Sequence, residues 1–447
     1  MNITNSKIKA VNMLGDNLWI ILVIIAAVIL GVCIANSKWM YVGLFLLPLI
    51  IYLSIKKPFI FPFGLYVFFI PFETMTGFES GSSLLSYLGF LTILVMLFTG
   101  IFEKKLRWPD KATLSWLVLI LYCILTALWA IDSTLTLSIY TFQTLIGLFL
   151  LYYVVSSYAI CKEDIQIIKL YVFLGGLISA IYALWNVGWL PDSRIGLAAG
   201  KNDANRFAFS LIIPFSVGIE FAMKQKRLIL KSLLFVSLGI LLYCINVTGS
   251  RGGFLGAAMV LITYTLFARQ RMLLIVSMLV LGLILVSYTP DFIFDRWGQA
   301  AEGGGANRLY IWYIALSALQ KYWPIGAGFN NFPLAFDEFA YHYTSLDKTS
   351  AASHSLFIGL FLELGIIGFI LLIIALVKHY KRIKAQSAYD PESVMLKASF
   401  FGVLMHSLFL DSFKIKTSWL LWMMIMMHRN YTASAHEKQI KEFNKDV

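Results

Sequence analysis

Two arginines open apolar runs at what reads as one face of a membrane. The stretch "GLAAGKNDANRFAFSLIIPF" (196–215) brings a polar, glycine-bearing loop into an apolar run at Arg206, and "TGSRGGFLG" (248–256) does the same at Arg251. In the second, Ser250 is placed to cap the helix that Arg251 begins, and Gly252 and Gly253 leave room beside it. A guanidinium at a membrane boundary costs free energy unless it is paired, snorkels into water or grips an anion. A helix N-terminus adds unsatisfied N–H groups and the positive end of a dipole. A planar guanidinium holds a phosphate bidentately, which lysine does less specifically. Arg206 and Arg251 are therefore candidate phosphate or pyrophosphate ligands, with Lys201, Ser250 and Gly252 in support. Snorkelling of each arginine to the lipid headgroups is the competing reading.

Further along, "GGGANRLYIWYIALSALQKYWPIGAGFNNF" (303–332) places Arg308 on the first turn of an amphipathic segment expected to lie on the membrane surface, and "WPIGAGFNNF" closes it with turn chemistry. Arg308 is a candidate third contact to the same anion; a structural salt bridge is the alternative. In "TSAASHSLFIGLFLELGIIGFILLI" (349–373), His354 falls on the expected first turn of a long span between Ser353 and Ser355. The dipole there disfavours imidazolium, so a neutral ring can take up a proton as a general base; a hydrogen-bonded anchor is the bland alternative. The other outward histidines, His342 and His406, are assigned no role.

The elements that must position these residues follow from composition. Of 447 residues, 59% are hydrophobic and 13% charged, with a mean hydropathy of +0.78. This is the composition of an all-α polytopic membrane protein. A net charge of +12 would suggest nucleic acid in a soluble chain; here the placement of the charges matters more, and no nucleic-acid partner is expected. Apolar runs of roughly 15–25 residues, each able to cross the ~30 Å hydrocarbon core, predict about 12–14 spans. With the N-terminus inside, "IKK", "EKKLRWPDK", "CKED", "KQKR", "ARQR" and "KHYKRIK" all fall on the cytoplasmic side, as the positive-inside rule demands. The expected organisation is N-terminal spans over 1–187, spans carrying the outer arginines over 188–289, a long outer loop over 290–353, C-terminal spans over 354–430 and a cytoplasmic tail over 431–447. Lys38, Lys414 and Lys416 sit in short outer loops and read as peripheral.

Several chemistries have no residues to stand on. The sequence holds no DxD, no Walker A, no GxSxG and no CxxC, and the outer acids considered, among them Asp192, Asp203, Asp337 and Asp347, lack metal-ligand spacing. Neither a metal nor a cofactor is expected.

The ordered trio "TGSRGGFLGAAMVLI", "NRLYIWYIALSALQKYWPIGAGFNNF" and "SHSLFIGLFLELGIIGFILLI", preceded by "GKNDANRFAF", resembles the O-antigen ligase and polymerase superfamily of bacterial membrane glycosyltransferases over roughly residues 195–380. In that family the third motif is commonly His-Asn; here it reads "SHS", so the asparagine's role is absent or filled by Ser355. The resemblance implies a GT-C-like helical enzyme in the bacterial inner membrane, working at its periplasmic or extracellular face. It implies a glycan donor on undecaprenyl pyrophosphate, a sugar acceptor on lipid A core or on another lipid-linked repeat, surrounding membrane lipids and, for a polymerase, a chain-length regulator. Arg206, Arg251 and Arg308 would hold the pyrophosphate, and His354 would deprotonate the acceptor in a metal-independent, inverting transfer. The rival class is a lipid-linked oligosaccharide flippase or other transporter, which should carry charges along a path across the membrane; mid-span positions here are almost free of charge.

Overall fold

The computed structural model describes residues 48, 50–73, 83–186, 203–269, 308–340, 352–383 and 390–443, isolated positions between 271 and 298, and side chains as far as residue 431. Lys201, His342, the first apolar run and the glycines at 303–305 lie outside the described residues. The chain divides into two compact units, Met1–Phe61 and Pro62–Val447. In the first, the described residues form a helix ending at residue 56. All that follows concerns the second.

Its described elements are helices: α1 (Phe63–Phe69), α2 (Leu84–Phe102), α3 (Lys111–Leu125), α4 (Ile139–Ser157), α5 (Lys162–Asn186), α6 (Ala204–Lys224), α7 (Leu228–Val247), α8 (Arg251–Phe267), α9 (Arg308–Tyr322), α10 (Phe332–Ala340), α11 (Leu356–Ile383), α12 (Pro391–Ser407) and α13 (Lys416–Phe443). Six apolar helices among the described residues, α2, α3 with its following turn, α5, α6, α7 and α11, are long enough to cross a membrane, and Arg251–Phe267 is a shorter apolar helix beside them. The protein is all-α and polytopic. Helix starts carry the side chains that satisfy free N–H groups: Asp110 accepts from Ala112 N (2.8 Å), Asp203 from Asn205 N (2.8 Å), Ser250 from Gly253 N (3.1 Å) and Asp390 from Ser393 N (3.0 Å).

Burial separates the centre from the rim. In α6, 83% of the apolar window is buried, against 28% in α7, so α6 is the central helix, with α5, α7, α8 and α12 packed around it. Because α5 and α6 are antiparallel neighbours, the start of one meets the end of the other, and there the charges inside the spans collect. Lys169 Nζ donates to Glu220 Oε1 (2.8 Å) and Glu392 Oε1 (2.9 Å), Lys224 Nζ donates to Glu220 Oε1 (2.6 Å), and His428 Nδ1 lies 3.2 Å from Glu392 Oε2. The cluster ties α5, α6, α12 and α13 together at one end. The candidate residues sit at the other.

The amphipathic helix α9 is packed against the protein along one face. Ile311, Ile314, Ala315 and Ala318 are buried with Phe332, Ala335 and Phe336 of α10 and Leu362 of α11, while Leu309, Tyr313 and Leu316 stay exposed on the opposite face. The "WPIGAGFNNF" segment does more than turn. It is stitched to a break in α11 by Ile366 N to Pro324 O (3.0 Å), Ala327 N to Leu362 O (2.9 Å) and Gly328 N to Glu363 O (2.9 Å). At the break, Gly365 takes φ 64° and ψ −164°, a region open essentially to glycine, and a Cβ there would collide with the Pro324 carbonyl. Beyond it, Asn331 Oδ1 accepts from Asp132 N (2.8 Å) and Asn331 Nδ2 donates to Thr136 Oγ1 (2.9 Å). These bonds fix the footing on which α9 and α10 stand.

Candidate functional site

The starts of α6, α8 and α9, the end of α12 and the segment leading into α11 come together. Arg206, on the first turn of α6, is exposed and lies 3.8 Å from its own cap Asp203. Arg251 is the first residue of α8 and half-buried, its helix capped by the buried Ser250. Gly252 follows because the space beside it is taken: a Cβ there would stand 3.2 Å from Phe409 Cβ and 3.4 Å from the His406 ring. The Arg308 guanidinium lies over the Phe409 ring at 5.9 Å, and Phe409 in turn lies 6.2 Å from Trp312. Trp312 Nε1 donates to Ser353 O (3.1 Å), and Leu356 N donates to Leu410 O (3.1 Å). The loop around His354 is thereby sutured both to α9 and to the loop after α12.

His354 is not on the first turn of its span. It precedes α11 by two residues, and Ser355 takes the cap position, its Oγ accepting from Ile358 N at 3.5 Å. The physical reason is local: Ser353 Oγ donates to Ser355 O (3.0 Å), which closes a tight turn, and His354 at its centre adopts φ 48°. That left-handed conformation costs a residue with a side chain of order 1–2 kcal/mol. The strain holds the imidazole beside the helix start rather than within it, where it stays half-buried. Burial and the Arg308 guanidinium push the ring below its ordinary pKa, while Asp203 and Asp411 pull the other way. These causes differ from the helix dipole that the sequence suggests, since His354 lies before the helix.

Around it lie three residues to which the sequence reading gives no part in the site. Asp411, in the short loop between α12 and α13, has a solvent-exposed side chain. Burial raises its pKa against the opposing pull of Lys414, Arg206 and His354. Lys414, which reads as peripheral, is half-buried and donates to Asn330 Oδ1 (2.5 Å). His406, at the end of α12, is fully buried beneath Gly252, with the Phe209 ring 4.8 Å away and Arg308 and Asp203 near enough to interact. The only sequence signal was "HSLFLDSF" itself, a histidine and an acid five residues apart at the end of a span.

Of the expected site residues, Arg206, Arg308 and His354 thus share one electrostatic neighbourhood with Asp203 and Asp411, and Arg251 joins it through Gly252 and the side chains that cover it. Among the described residues, no three His, Cys, Asp or Glu side chains gather as metal ligands do. Residues 236–373 match the family model described as O-antigen ligase. The matched span contains Arg251, Arg308 and His354 and leaves out Arg206, His406 and Asp411. No curated protein matches the chain at a significant level.

Proposed function

We propose that this chain, whose residues 236–373 match the O-antigen ligase family model, transfers a glycan from undecaprenyl pyrophosphate to a sugar hydroxyl at the outer face of the bacterial inner membrane. The observation that carries the proposal is the meeting of Arg206, Arg308 and His354, from three separate segments, in one neighbourhood at one end of the bundle. Arg206, Arg251 and Arg308 hold the diphosphate, and the first turns of α6 and α8 add N–H groups and dipole ends. The neutral His354 accepts the acceptor's hydroxyl proton as that oxygen attacks the anomeric carbon. The bond from that carbon to the phosphate oxygen breaks, and its electron pair leaves on the diphosphate, whose growing charge the guanidiniums stabilise without a metal. Attack opposite the leaving group inverts the anomeric centre. Asp411 lies near enough to His354 to favour the imidazolium that forms.

Purified protein given a lipid-linked glycan and an acceptor should release undecaprenyl pyrophosphate and lengthen or load the acceptor. Arg251→Ala should abolish this, and Arg251→Lys should remain severely impaired because a bidentate contact worth about 1.5–3 kcal/mol is lost. Full activity in the lysine variant would show that point charge suffices. Movement of the intact lipid-linked glycan across vesicles, without transfer, would identify a flippase instead.

A further inference from the structure

We infer that the His406 imidazole is a further ligand for the donor's diphosphate, set between the first two turns of α6 and the first turn of α8. The inference rests on the diphosphate reading of the site and adds a residue to it.

The first observation is a deficit of partners. His406 is fully buried, and neither ring nitrogen has a hydrogen bond among the described residues. Its own backbone and that of Asn205 lie near enough to interact with the ring, but neither in hydrogen-bond geometry. Each of the other buried histidines has at least one ring nitrogen partnered, although His428 Nε2 is unpaired as well. His379 uses Nε2 with the Tyr152 hydroxyl (2.9 Å) and Nδ1 with Ala375 O (2.9 Å), and His428 has Glu392. An unpaired buried nitrogen costs folding free energy that an apolar side chain of similar shape would not. A ring kept at that cost points to a partner that arrives from outside the chain.

The second observation says where that partner docks. The ring lies against Gly252, close enough that a Cβ there would be 3.4 Å from Nδ1 and Cε1. It faces the first turn of the helix opened by Arg251, with Arg308 and Asp203 in its electrostatic surroundings. An anion on that turn would meet the ring, and a neutral imidazole can turn its single N–H to either nitrogen to suit it. Phe409 flanks the same glycine and carries Arg308 over its ring.

The test compares full-length protein in detergent with inorganic pyrophosphate and undecaprenyl pyrophosphate as probes, measuring binding and thermal unfolding for His406→Phe, His406→Gln and Arg251→Ala. His406→Phe should unfold at or above the wild-type temperature yet bind both probes about tenfold more weakly, as expected for one lost charge-assisted hydrogen bond. His406→Gln, which keeps an N–H donor, should recover most of that loss. If the phenylalanine variant fails to fold, His406→Leu serves in the same comparison. Wild-type binding in the His406 variants alongside weakened binding in Arg251→Ala would overturn this inference alone and make His406 a packing residue. Wild-type binding in every variant would overturn the diphosphate site as a whole.

Discussion

Replacing Gly365 by alanine should both destabilise the protein and disable the site, although the residue belongs to neither the arginine set nor His354. The backbone there, φ 64° and ψ −164°, costs a non-glycine residue about 1–3 kcal/mol. The new Cβ would also drive the Pro324 carbonyl away, and with it the three backbone bonds Ile366 N–Pro324 O, Ala327 N–Leu362 O and Gly328 N–Glu363 O. At about 1 kcal/mol net for each bond, the total is about 4–6 kcal/mol. Thermal unfolding in detergent, followed by intrinsic tryptophan fluorescence, should show a drop of roughly 5 °C or more. Glycan transfer measured well below that temperature should fall as well, since α9 packs on α10 and Leu362 and carries Arg308 at its start. A Gly365→Ala protein that melts within about 1 °C of wild type and turns over normally would refute the account of how the outer segment is anchored.

His354→Ala should lower turnover by about 10²–10⁴ while leaving donor affinity nearly unchanged, the split expected of a base that does not hold the diphosphate. Activity of the wild type needs the neutral ring, so it should persist below the ordinary histidine value of about 6.5 and fall as pH drops through the lowered pKa. Arg308→Ala, removing a cation, should move that acid limb to higher pH, and Asp411→Asn, removing an anion, to lower pH; shifts of the same sign in pH–rate profiles would rule out His354 as the titrating group. Transfer should survive excess EDTA, and activity lost on chelation and restored by Mg²⁺ or Mn²⁺ would expose carboxylate ligands among the outer acids. Lys169→Met should destabilise the fold by about 3–5 kcal/mol by leaving Glu220 and Glu392 short of a partner, with pyrophosphate affinity unchanged; weakened binding would couple the two ends of the bundle.

What the sequence made legible was local. Apolar runs, the Ser250 cap and the turn chemistry of "WPIGAGFNNF" are written within a few residues of one another, so α6, α8 and α11 and the cap at Ser250 could be read directly. Arg206, Arg251 and Arg308 could be singled out because each follows a polar or glycine-bearing stretch and opens an apolar or amphipathic one. The placement of His354 could not, since it depends on a Ser353–Ser355 turn that competes with the helix start for the same residues. Asp411 and His406 become neighbours of the site only when α12 packs along α6 and α8, a contact between segments some 150–200 positions apart in sequence. Lys169, Glu220 and Glu392 were invisible for the same reason: single charges in apolar runs become a paired cluster only once four helices meet.

The charge cluster and the site use the same residue types to opposite ends, and the difference lies in how firmly the charges are held. Lys169 is 1% exposed and bonded to two carboxylates, and removing either kind of partner leaves a buried charge unpaired, so the arrangement has nothing to gain by exchange. At the other end, Arg206 has a 3.8 Å pairing with an exposed aspartate, an interaction worth about 0–1 kcal/mol. A charge-assisted contact to a diphosphate oxygen, at about 1.5–3 kcal/mol, exceeds it. That resting contact is therefore strong enough to keep the guanidinium at the helix start and weak enough to be given up to an arriving anion, which a membrane-boundary arginine needs if it is to bind a ligand rather than fasten the fold.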